Sequence, residues 1–226
     1  MERILEPEYM DTVDEATDYD AMDHRVPNEA FVDRLVALGA RGLMLDLGCG
    51  PGHMPPMVAA RVPGSEVVGL DAASTMLAIA ERRRLGLPGG DRVRYIQGDA
   101  KALPFSDGEF EAVFSNTVLH HIPDPRPFLR EAWRVLAPGG LLAIRDLFRP
   151  PNAAEVDRLV VLHAADANPV QRELFRASLH AALEPDELRA QARECGLTGV
   201  EVTVDSDRHQ TLQGRRPNSH TVSVTR

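Results

Sequence analysis

Three aspartates stand at matching places in the chain, each at the close of an apolar run: Asp46, Asp71 and Asp99. In a parallel sheet such positions share one rim, where carboxylates accept from hydroxyls and amines and offset a positive charge. A lone aspartate there can also be a turn-former that bonds its own following backbone. Beside the first lies Gly48-Cys49-Gly50-Pro51-Gly52, a loop whose glycines permit positive φ and close approach of a ligand to the main chain. A dinucleotide loop needs a further glycine three residues after its second; His53 occupies that place. Pro55 and Pro56 also strip amide donors from the first turn of the following helix, the donors a pyrophosphate would use. The combination suits a smaller, cationic or zwitterionic nucleoside. Asp71 lies at the spacing from the loop that suits ribose hydroxyls.

A second group could move protons or grip an acceptor. His120 and His121 follow the fourth apolar run and are the candidate bases. Adjacent residues on a short turn are expected not to face one pocket together, and His121 is the preferred member. Asp146 and Arg149 leave the fifth run, and Arg208-His209 falls in a polar stretch near the end. Arginines there can hold a carboxylate or phosphate, against the alternative of ordinary surface ion pairs. Arg145 alternates with Asp146 and is expected on the opposite face of its strand, whereas His163 sits on an apolar helical stripe as a core or interface histidine. Cys49 and Cys195 stand outside any metal-ligand spacing and read as small buried hydrophobes, so no metal is expected.

Strands and helices alternate so as to present these residues. Asn28 is the expected cap of a helix carrying Phe31, Leu35 and Leu38 on one face. Strands are predicted over 43–46, 66–71, 92–97, 110–116 and 141–146, the third with edge-strand alternation. Helices are predicted after the glycine loop to about Val62, from a Ser74 cap to Arg84, and from Asp124-Pro125 until Pro138-Gly139-Gly140 ends it. Five such alternations with short connections make a doubly wound α/β sheet. Beyond Pro150-Pro151, helices are predicted around 156–163, 169–183 and 187–195, then terminal strands at 200–204 and 221–224 joined through Arg208-His209. One domain is expected, with 1–42 as an N-terminal helix or lid segment, 43–146 as the cofactor-binding core and 147–226 as the acceptor side.

The segments LDLGCGPG, VVGLDAASTMLAIA, YIQGDAKALPFSDGEFEAV, SNTVLHHIPDP and LREAWRVLAPGGLLAI follow one another almost without interruption across 43–146. In that order they resemble the class I S-adenosylmethionine-dependent methyltransferases, above all the branch acting on small molecules. The resemblance implies a Rossmann-like sheet of seven strands whose last strand, here 221–224, runs antiparallel beside strand five. It implies S-adenosyl-L-methionine as cofactor and S-adenosyl-L-homocysteine as product. By the same likeness Gly48, Cys49 and Gly50 approach the methionyl part, with Asp46 holding its ammonium. Asp71 takes the ribose, with Ala72 and Met76 near the adenine; Asp99 and the Ala100 amide read the ring; Asn116 lies near the methionyl amine. The implied reaction is in-line methyl transfer, which rests mainly on alignment. A quinone- or sterol-type carbon methyltransferase, a non-catalytic cofactor-binding module and an NAD oxidoreductase are the alternatives.

The charge balance narrows the partners. Thirty-four acidic residues against 25 basic ones give a net charge of −9, which argues against a general nucleic-acid binder. No apolar run reaches membrane-spanning length, and the acidic N-terminal stretch is unlike a basic-apolar leader, so a cytoplasmic protein with a small-molecule substrate is the expectation. Glu6, Glu8, Asp11 and their acidic neighbours read either as a solvated arm or, through the interleaved Tyr9, Tyr19 and His24, as a lid over the cofactor. Oligomeric state is not legible.

Overall fold

Alternation along each strand divides the apolar side chains between two layers. The computed structural model describes residues 1–6 and 25–218. Along β1 (Leu43–Leu47), Leu45 and Leu47 enter one cluster and Met44 enters another. β2 (Glu66–Asp71) sends Val68 and Leu70 one way and Val67 the other; β4 (Phe110–Asn116) separates Val113 from Ala112 and Phe114. Side chains alternate across a strand, and both faces here are apolar, so helices must cover each. One face takes Phe128, Leu129 and Ala132 of α4 (Arg126–Val135) and Leu188 and Ala192 of α7 (Pro185–Glu194). The opposite face takes Phe31, Val32 and Leu35 of α1 (Arg25–Ala37) with Val58 and Ala59 of α2 (Met54–Arg61).

The remaining elements are α3 (Ser74–Arg84), β3 (Val93–Gln97), β5 (Leu136–Leu147), α5 (Ala153–His163), α6 (Pro169–Ala181), β6 (Val200–Val204) and β7 (His209–Arg215). The seven strands run in the order β3-β2-β1-β4-β5-β7-β6. Pairing is parallel from β3 through β5, and β7 is antiparallel to both β5 and β6. This is the Rossmann-like doubly wound sheet with its last strand reversed. Because β1 to β5 are parallel, Asp46, Asp71, Asp99, Asn116 and Asp146 gather at one rim, where open α/β sheets bind ligands. Among the described residues no helix is long and apolar enough to cross a membrane.

Several boundaries differ from the sequence reading. The reversed strand is His209–Arg215, and 221–224 fall outside the described residues. His209–Arg215 looks like loop because it is polar, yet the polar side chains find partners: Gln210 Nε2 donates to the Leu147 and Leu183 carbonyls at 3.3 and 2.8 Å, and Gln213 Nε2 donates to Glu201 at 3.1 Å. β5 begins at Leu136 rather than Leu141, since Pro138-Gly139-Gly140 forms a register shift against β4 instead of a helix stop. A Cβ on Gly140 would come within 2.8 Å of the Ala137 carbonyl oxygen, which explains a glycine in that irregularity. Asn28 lies inside α1 rather than capping it, and Ala73, not Ser74, is the cap position of α3.

Phe114 is fully buried between the sheet and α1. Phe114→Ala is expected to cost ~3–5 kcal/mol through lost burial and a residual cavity. Urea unfolding should show a lower midpoint with an unchanged slope.

Candidate active site

The glycine loop turns back on itself through three left-handed residues, Gly48 (φ 72°), Gly50 (φ 51°) and Gly52 (φ 75°). A Cβ at Gly48 would lie 2.5 Å from Val118 Cγ2, whereas one at Gly50 would meet nothing within 4 Å. The Gly50 backbone therefore faces open space, and its amide donates to Asp71 Oδ2 at 2.8 Å while the Ala73 amide donates to Oδ1 at 2.9 Å. Asp71 thus anchors the loop as well as lining the cleft. The helix behind the loop carries Pro55 and Pro56 in its first turn and has His53 at its cap position without a side-chain cap bond.

The cleft at the strand ends is lined by every described residue assigned to the cofactor from sequence: Asp46, Gly48, Cys49, Gly50, Asp71, Ala72, Met76, Asp99, Ala100 and Asn116. Tyr19 lies outside the described residues. Asp46 is 1% exposed, and its Oδ2 has no hydrogen-bond partner among them. Burial, and then Asp71, raise its carboxyl well above the ordinary range, so a cation arriving at this oxygen is strongly favoured. Asp99 is more open: burial works against its charge, but the Lys101 amide and ammonium, at 2.8 and 2.9 Å, outweigh it and lower its carboxyl. Burial pushes the Cys49 thiol up, which keeps it a neutral wall atom.

A second cavity adjoins this cleft, and the two share Asn28, Asn116, Thr117 and His121. Asn116 Nδ2 donates to Asn28 Oδ1 at 3.2 Å. Thr117 holds φ at 57°, a left-handed conformation costly for a β-branched residue and concentrated at functional turns. Sequence reasoning missed both Asn28 and Thr117. The second cavity is lined by the polar Arg145, Arg208, His163 and His209 and by the apolar Leu147, Leu162 and Phe175. Arg145 and His163 were assigned elsewhere from sequence; helices α5 and α6 turn the cavity toward them. Arg145 Nη1 donates to the Pro27 carbonyl at 2.9 Å, and burial lowers its guanidinium to about 10, leaving it charged near neutral pH.

Three expectations are corrected. Both histidines border the second cavity, their rings 4.2 Å apart and tilted by 35°, because a 3₁₀ turn over Leu119–His121 brings neighbours side by side. Asp146 does not line either cavity: its carboxylate accepts from the His120 amide and Nδ1 at 2.7 and 2.6 Å and from the Leu147 amide at 2.7 Å. Arg149 also stays out of both; it donates to the Met1 and Ala182 carbonyls at 2.9 Å and pairs with Glu184 and Glu187 at 3.2 and 2.8 Å. Burial opposes charge on His120, and Asp146 outweighs it, so that imidazole lies above its usual value.

Glu6, placed by sequence in a solvated arm or lid, has a side chain only 8% exposed. Its Oε1 lies 3.4 Å from His120 Nε2 and 3.2 Å from His121 Nδ1. Arg3 holds this segment down by donating to the carbonyls of Ala181, Pro123, His120 and Ile122 at 2.6 to 3.3 Å. No sequence signal distinguishes Glu6 from the acids that follow it.

The sheet order, the glycine loop and the strand-end carboxylates define a Rossmann-like nucleoside-binding protein. A family described as a methyltransferase domain matches residues 45–144. A demethylmenaquinone methyltransferase of Thermus thermophilus is 45% identical over 111 residues, covering 49% of this chain and 50% of its own. Another, from Clavibacter sepedonicus, is 34% identical and covers 74% of this chain and 70% of its own. Among solved structures, an S-adenosylmethionine-dependent methyltransferase of Aquifex aeolicus shares the fold with a TM-score of 0.65 and 18% identity, covering 90% of this chain and 97% of its own. The chain belongs to the class I S-adenosylmethionine-dependent methyltransferases. It spans about half the length of the Thermus relative.

His209 is buried, and burial followed by the nearby Arg145 and Arg208 pushes its imidazole down to about 2. Its folded pKa lies below the unfolded value of about 6.5, so the unfolded chain takes up the proton first. This contribution is present above pH ~6.5 and is lost as pH falls through the acid range, by ~1.4 kcal/mol per pH unit. Unfolding measured at neutral and mildly acid pH should show that loss reduced in His209→Gln.

Proposed function

We propose that the protein transfers the methyl group of S-adenosyl-L-methionine to a small-molecule acceptor seated in the second cavity. The observation that carries this reading is the junction, where Asn28, Asn116, Thr117 and His121 belong to both cavities. A displacement at carbon needs nucleophile and methyl aligned in one line, and alignment supplies several kcal/mol. Two cavities meeting at a wall of fixed side chains provide that alignment.

The cofactor fits the residues present. Asp46, with a buried oxygen lacking a partner, meets an ammonium; the open space over Gly50 admits a chain lying against the backbone. Asp71 and Ala72 take the ribose side, Met76 the adenine face, and Asp99 with the Ala100 amide the ring edge. When bound, the cofactor supplies an electrophilic methyl on a sulfonium. The chain's own task is to align the acceptor and to exclude water from the junction. An acceptor with an apolar body and an anionic or oxygen-rich end fits a cavity lined by Leu147, Leu162 and Phe175 together with Arg145 and Arg208. The excess of acid over base supports a small molecule over nucleic acid as acceptor.

Asp46→Asn is expected to weaken S-adenosyl-L-homocysteine binding ~10–100-fold by titration calorimetry, the worth of a charged hydrogen bond. An unchanged affinity removes Asp46 from the cofactor site. Arg208→Gln should raise the KM for an anionic acceptor ~10-fold or more while leaving homocysteine-cofactor affinity alone. Equal KM for wild type and variant across active acceptors would discard the anionic end.

A further inference from the structure

The sequence reading expects no metal, yet at the edge of the junction a carboxylate and two imidazoles converge. Among the described residues, Glu6, His120 and His121 each bring one donor atom into a cluster in which all three atoms lie within 4.8 Å of one another. We propose that these residues bind a divalent transition-metal ion of the zinc class, with Asp146 as the positioning residue behind His120.

The hydrogen bonds around His120 carry the argument. Its Nδ1 donates to Asp146 at 2.6 Å, which leaves Nε2 of the neutral ring as a lone pair. That lone pair faces Glu6 Oε1 at 3.4 Å, and Oε1 has no hydrogen-bond partner among the described residues. Two acceptors face one another in a buried place, where the repulsion is relieved by a cation between them. A proton could serve, making the pair an imidazolium–carboxylate bond, but such bonds close to about 2.7–2.9 Å. The observed 3.2 and 3.4 Å from Oε1 to the two imidazole nitrogens instead match neighbouring ligands of a tetrahedral ion. Metal–ligand bonds of about 2.0–2.2 Å place such ligands about 3.4 Å apart.

The surroundings agree. A histidine that gives its other nitrogen to a carboxylate is the arrangement that orients metal-bound imidazoles and strengthens them as ligands. Two imidazoles and one carboxylate suit zinc, iron(II) or nickel rather than magnesium or calcium. Glu6 and Asp146 supply negative charge beside His120, against the guanidinium of Arg3, which the four carbonyls hold. The three ligands come from chain segments locked independently: Glu6 by Arg3 and by Ile4, whose amide donates to the His180 carbonyl at 3.1 Å, and the histidines by their 3₁₀ turn. All three ligands border the second cavity, so a fourth position opens toward it. Resting on the proposed acceptor site, that position would receive an oxygen of the acceptor, as a Lewis acid does.

The test is binding, independent of methyl transfer. Metal-stripped protein is titrated with Zn²⁺ by calorimetry and with Co²⁺ by visible absorption. Wild type is expected to take up one ion per chain, with the intense d–d bands of low-coordinate cobalt. Glu6→Gln and His121→Ala should each weaken binding at least ~100-fold. Asp146→Asn, which keeps all three ligands, should weaken it ~10–100-fold. His163→Ala, outside the cluster but in the same cavity, should bind as wild type does. S-adenosyl-L-homocysteine affinity, measured on each variant, reports folding and the cofactor site separately. Absence of stoichiometric binding by wild type overturns the proposal and leaves a proton-sharing network. Binding unchanged in both Glu6→Gln and His121→Ala overturns it equally, since the ion then sits elsewhere.

Discussion

The buried carboxylate of Asp146 is the constraint on which the site depends. It is the penultimate residue of β5, and it fastens both the backbone and the ring of His120 from the turn after β4. The junction residues Asn116 and Thr117 precede that turn, and His121 closes it. Their positions relative to the sheet follow from where Asp146 holds it. A buried carboxylate without such donors would cost several kcal/mol. Three charge-satisfying bonds, one from its neighbour Leu147, remove that cost. The interaction specifies a conformation more than it adds stability, because partners of this kind roughly offset their own desolvation.

Charge is distributed unequally across the junction. On the cleft side, Asp46 is buried beside Asp71, and each raises the cost of the other's charge. On the other side Arg145 and Arg208 lie close enough to depress His209 together. A low-dielectric wall between opposite fields strengthens both. The cleft therefore favours a cation at Asp46, and the Arg145 and Arg208 part of the second cavity favours an anion.

Much of this was legible in the sequence, and the rest was not for identifiable reasons. The apolar runs in 43–47, 66–71 and 110–116 are imposed by burial on both faces, so the strands could be read directly. The glycine loop and its aspartates were legible because backbone geometry there tolerates few residues. β7 was missed because its polar side chains are satisfied by tertiary partners, such as the Leu183 carbonyl for Gln210, that no local pattern encodes. Glu6 was missed for the same reason: its neighbours arrive from positions 120 and 121. Asn28 has the type of a cap, yet tertiary pairing with Asn116 places it within a helix turn.

The reversed strand has a consequence for how the chain acquires its structure. β5 supplies the buried run Leu141–Leu142–Ala143–Ile144, and its outer edge pairs only with β7. Between them lie three helices and β6, and β6 itself reaches the sheet only through β7. During synthesis, the backbone donors and acceptors of an apolar strand stand open until His209–Arg215 emerges. Pairing across so long a separation is slow, and an open apolar edge is a template for association with other chains. Among the described strands, the last to be made is thus the one that covers the open edge of β5 against aggregation.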